Sequence, residues 1–103
     1  MTGSPMTGKK PTQEEIMGRL AGRFPALKGA PGLEPWDPKT LDEWGASARR
    51  GAGARVVVRF LLAVWNGSED FWKSGNFRLR DLGELDEENL EIWKTWAARP
   101  FFL

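Results

Sequence analysis

Ala54-Arg55-Val56-Val57-Val58-Arg59-Phe60-Leu61-Leu62-Ala63-Val64-Trp65 is the most apolar stretch of the chain, and after Val56 only Arg59 interrupts it. Whether it is helix or strand decides the fold. Three successive valines favour a buried strand. Its length, its Leu and Ala content and its lack of alternation favour a helix. No other segment offers a strand to pair with, and a lone strand leaves its backbone donors and acceptors unsatisfied. The stretch therefore reads as a helix, stopped by Asn66-Gly67 in the left-handed conformation. A helix that is apolar nearly all round needs a sheath.

The sheath is read outward from that core. Upstream, Thr12-Gln13-Glu14-Glu15 is a capping box, followed by Ile16, Met17, Leu20, Ala21 and Phe24 on one helical face, and Pro25 ends the segment. Ala26–Lys39 holds three prolines and two glycines and reads as a long connector, pinned to the core by Leu33 and Trp36. Thr40-Leu41-Asp42-Glu43 reads as a second capping box, opening a helix with acids in its first turn and a break near Arg50–Gly53. Downstream, Ser68-Glu69-Asp70 suggests a short helical piece over Glu69–Ser74 that ends at Gly75. Asn76–Arg80 is irregular, and Asp81–Leu85 adds a short turn. Asp86 caps a last helix whose apolar stripe is Leu90, Trp93, Trp96 and Ala97, with Ile92 beside it and Pro100 as its stop. The expected fold is all-α: a bundle of three or four helices with a long Pro/Gly-rich connector. Phe60, Leu61, Trp65, Trp93 and Trp96 are expected in one buried cluster. Phe101-Phe102-Leu103 is too apolar to stay in water, and docks on the domain or on a partner.

Length and composition bound the rest. The 103 residues suit one helical domain over residues 12–103, and Met1–Pro11, which repeats Met-Thr-Gly and has no aromatic residue, reads as a flexible tail. No apolar run approaches the roughly 18 residues that span a bilayer, so no membrane role is expected. There is no cysteine, which removes disulfides and thiol chemistry and suits a cytoplasmic, reducing compartment. Richness in Ala, Gly, Arg, Pro and Trp suits a GC-rich bacterial or phage genome.

Six tryptophans stand beside no histidine, cysteine or tyrosine. The residue types that most often transfer protons or attack as nucleophiles near neutral pH are thus largely missing. Among acids, Glu84, Asp86, Glu87, Glu88 and Glu91 are densest, but a helix N-terminus explains three of them and no calcium-loop spacing occurs. No catalytic residue, cofactor or metal site is expected, and the chain reads as a non-enzyme.

Binding features are easier to find. Charge is uneven: residues 1–60 carry ten Lys/Arg against six Asp/Glu, and residues 61–103 carry five against eight. Arg49, Arg50, Arg55 and Arg59 lie around Gly51-Ala52-Gly53, where a helix N-terminus is able to hold a phosphate. For Arg59 the competing reading is an internal carboxylate from Asp81–Glu91. Trp72 and Trp36 fall in irregular segments, where an exposed ring is able to plug a partner's pocket, although packing is the commoner fate of a tryptophan. Phe101 and Phe102 complete the candidate protein-interaction set. The reading is a small interaction module whose partner is a protein, a second copy of the chain being one option. The alternative is a weak nucleic-acid binder using the Arg49–Arg59 surface.

Overall fold

In a computed structural model, residues 10–47, 51–65 and 72–103 are described, and they form helices and turns without a strand. Helix α1 spans Gln13–Gly22, α2 Pro38–Gly45, α3 Ala52–Trp65 and α4 Glu87–Ala98, with 3₁₀ turns at Pro25–Leu27 and Leu79–Glu84. The valine-rich stretch is helical, and Val56, Val57, Val58, Phe60, Leu61, Leu62 and Val64 are all buried. No described residue range forms a helix long and apolar enough to cross a membrane.

The sheath around α3 is built from every other element. Phe60 is its hub: Phe24, Phe77, Trp93 and Trp96 each meet its ring edge-on, with centroids 4.7–6.4 Å away. Trp65 packs against Trp36, and Phe60, Leu61, Trp65, Trp93 and Trp96 share one cluster, but only Phe60 and Leu61 are buried; the three tryptophans lie at its partly buried margin, where their large rings cover the core and still reach water. The closest approach comes from α2. A Cβ on Gly45 would lie 2.8–2.9 Å from three atoms of Val58, so only glycine lets the two helices meet there. A glycine that weakens an isolated helix is here the condition for packing it.

The capping box at Thr12 forms as read, with the Glu15 N–H donating to Thr12 Oγ1 at 3.1 Å and the Thr12 N–H to Glu15 at 2.8 Å. Asp86 caps α4, accepting from the Asn89 N–H at 3.0 Å. The start of α2 differs from the sequence reading. Its cap is Asp37, three residues before Thr40, and Thr40 donates to Asp37 through both its N–H and its hydroxyl. Pro38 explains the shift, because its fixed φ suits the first helical position and its missing N–H is not needed there. The stripe of α4 is also rotated: Asn89, Ile92, Trp93 and Trp96 face the core, while Leu90 is half-buried to one side. Asn89 holds that buried place by accepting from the Ala26 N–H at 3.0 Å and donating to Asp86 at 2.7 Å.

The connector is ordered by its glycines and its pinning residues. Gly32 adopts φ +85°, and the Asp37 N–H closes the loop onto its carbonyl at 2.8 Å. Trp36 is buried and Leu33 packs against the core. The Glu34–Pro35 peptide bond is cis. The expected stop at Asn66-Gly67 and the start of the Glu69–Ser74 piece lie outside the described residues.

Candidate functional site

The most built feature of the surface is a turn over Trp72–Gly75, held from two sides. Asp42, on α2, is 4 % exposed and turns both carboxylate oxygens into the protein. One accepts from the Lys73 N–H at 2.9 Å and the other from the Ser74 N–H at 2.8 Å. The Ser74 hydroxyl donates back to the Asp42 carbonyl at 2.9 Å. From α3, Arg59 Nε donates to the Ser74 carbonyl, while its Nη1 lies 3.5 Å from Asp81. Gly75, at φ +90°, then lets the chain leave past the Arg59 guanidinium. Charge-assisted bonds to backbone groups of this kind are the stronger class.

This clasp places Trp72 along an open groove of about 360 Å³, together with Pro38, Lys39, Asp42, Glu43 and Lys73. Its walls are mainly apolar. Lys73 and Glu43 face each other loosely at the rim, 3.8 Å apart and both largely exposed. A second cleft, of about 450 Å³, lies between α1 and the connector and is lined by Glu14, Glu15, Arg19, Glu34, Pro35 and Trp36.

The remaining expected site residues are scattered. Arg49 and Arg50 lie outside the described residues. Arg55 reaches back to the end of α2, with Nε 3.4 Å from the Gly45 carbonyl and Nη2 3.3 Å from that of Ser47. A cation there answers the negative end of the helix dipole and its orphan carbonyls. Arg59 takes the internal carboxylate, Asp81, as its partner. Trp36 is 7 % exposed, packs on Trp65 and lines the second cleft rather than the Trp72 groove. Phe101 is half-buried against Trp96, and Phe102 is 69 % exposed although its ring also touches Trp96 edge-on. The Leu103 N–H donates to the Val64 carbonyl at 2.8 Å, so this terminal stretch docks on the domain itself.

Two features escaped the sequence reading. Asp42 looked like an ordinary first-turn acid, and its partners lie more than thirty residues away, beyond any local pattern. Arg78-Leu79-Arg80 carries the most exposed large apolar side chain described, Leu79 at 78 %, between two exposed arginines. A leucine alone between two like charges was a visible signal.

Asp37 and Asp86 both have carboxyls held below the usual carboxylate range. At Asp37 the hydroxyl and N–H of Thr40 stabilise the charged form, and at Asp86 the N–H and side-chain amide of Asn89 do so.

No family model matches the chain, and no solved structure matches it. The chain is 26 % identical to the valine–tRNA ligases of Geobacillus stearothermophilus and Geobacillus kaustophilus strain HTA426 over an alignment 103 positions long that covers 87 % of this chain. It spans only 12 % of the length of those curated relatives.

Proposed function

We propose that this chain is a small, non-enzymatic protein-interaction module that offers the Trp72 groove to an apolar side chain of a partner protein. The observation that carries the reading is the pre-set turn. Asp42 and Arg59 fix Lys73 and Ser74 before any partner arrives, so Trp72 stands beside Pro38 with little ordering entropy left to lose. Tryptophan is the residue type most enriched at the energetic centres of such contacts. The absence of cysteine supports a cytoplasmic setting.

The nucleic-acid reading draws on the likeness to valine–tRNA ligases. Two of its four arginines, Arg55 and Arg59, already donate to protein carbonyls and a carboxylate, which lowers the number of phosphates that surface is able to neutralise.

Selection of a random peptide library against the immobilised protein tests the proposal, with Trp72→Ala as the counter-screen. Peptides that bind the natural sequence and lose binding with Trp72→Ala are the expected result. Sequence-independent capture of oligonucleotides at low salt, with no such peptides, would support the alternative instead.

A further inference from the structure

We infer that two copies of this chain associate by seating the Arg78-Leu79-Arg80 projection of one in the acidic cleft between α1 and the connector of the other. The inference uses neither Trp72 nor its groove, so it stands or falls apart from the function proposed above.

The projection and the cleft are complementary in charge, and the cleft has room for an apolar side chain. Leu79 opens the 3₁₀ turn Leu79–Glu84 and is 78 % exposed, although a leucine gains by leaving water. Arg78 and Arg80 flank it, both exposed, and neither makes an ion pair among the described residues. The turn that carries them is anchored: Asp81 accepts from the Arg78 N–H at 2.9 Å and also meets Arg59. The projection is therefore presented on a fixed base.

The cleft has a Pro35–Trp36 wall for an apolar side chain and, at about 450 Å³, ample room for one. Around that wall stand three carboxylates and one guanidinium, an excess of two negative charges. Arg78 and Arg80 bring two positive ones. Glu14 and Glu34 are exposed and make no ion pair among the described residues, whereas Glu15 is committed to the α1 capping box. An apolar anchor between the arginines favours a protein surface over a phosphate backbone, which would leave Leu79 in water.

One leucine and two arginines cover far less than the roughly 1,200 Å² of a stable interface, so the association is weak and salt-sensitive. Sedimentation of the full chain over a wide concentration range at low salt reads it directly. The expected result is an average mass that rises with concentration and falls back towards the monomer as salt is added. Arg78→Glu with Arg80→Glu should weaken association by more than about tenfold, as should Glu14→Arg with Glu34→Arg. Each double variant alone sets like charges against each other. Mixing the two should restore association, because each reversed surface then faces its opposite, and restoration also shows that both variants are folded. A chain that stays monomeric at low salt overturns the inference. So does association that both double variants keep, or a mixture that fails to recover what the separate variants lost.

Discussion

A carboxylate with both oxygens spent on backbone N–H groups, as in Asp42, is difficult to replace even by its nearest relative. Asp42→Asn keeps one acceptor but turns an NH₂ towards a backbone donor, leaving that donor buried and unpaired. The expected loss is about 2–3 kcal/mol in urea unfolding at neutral pH, and an unchanged midpoint would show that the clasp adds no stability. The tryptophans give the opposite case. Among the described residues the buried Nε1 of Trp36 has no hydrogen-bond partner, while that of Trp96 donates to the Phe101 carbonyl at 3.2 Å. Trp36→Phe removes a donor with no partner among the described residues and some ring volume together, opposing effects that should leave stability within about 1 kcal/mol of the natural sequence. Trp96→Phe discards a used donor and should cost more. Equal losses in the two variants would contradict this assignment.

Among the elements, α2 depends most on its neighbour. Gly45→Ala gains intrinsic helix propensity of about 1 kcal/mol but drives a methyl into Val58. Overpacking of this sort costs about 1–3 kcal/mol, so the substitution should destabilise on balance. In the background of Val58→Ala, which removes the two γ-methyls but leaves the Cβ 2.9 Å from the added methyl, the same change should cost less than in the natural sequence. Additive effects of the two substitutions would show that the clash is relieved elsewhere. Helix α4 carries a pH-dependent element at its start. The Asp86 carboxyl is lowered below 3.8 by hydrogen bonds from Asn89, so its capping contribution is complete above that value. It is lost as pH falls through the lower folded-state value. The stability gap between the natural sequence and Asp86→Ala should therefore be constant near neutrality and narrow below pH 3.8. A gap that persists in strong acid would mean that the ionised form is not what caps the helix.

Across the whole molecule, the terminal Phe101–Leu103 stretch closes the sheath over the end of α3. Replacing Phe101 and Leu103 together with Ala should lower stability by roughly 2–3 kcal/mol, since each is half-buried. Thermal unfolding at an unaltered temperature would mean that the stretch is merely draped there. Much of this architecture was legible beforehand. The helical state of Ala54–Trp65, the caps at Thr12 and Asp86 and the docked end follow from local rules: hydrophobic period, side-chain oxygens opposite orphan N–H groups, and the aversion of phenyl rings to water. Such rules act within a few residues, and one chain displays them fully. The shift of the α2 cap from Thr40 to Asp37 sits at the edge of that reach, because two side chains compete for the same helix start and Pro38 tips the choice. What remained hidden was long-range. That Asp42 holds a turn thirty residues on, that Arg55 caps another helix, that Asn89 rather than Leu90 faces inward, and that Gly45 is a contact rather than a weakness were decided only when α3 gathered its neighbours. Burial sets the value of a polar group, and burial belongs to the folded arrangement. The sequence by itself determined which segments are helical and that they need a common core; the tertiary structure alone decided which charges are spent inside it and which groups, Leu79 among them, stay exposed to water, because burial depends on neighbours that only the fold brings together.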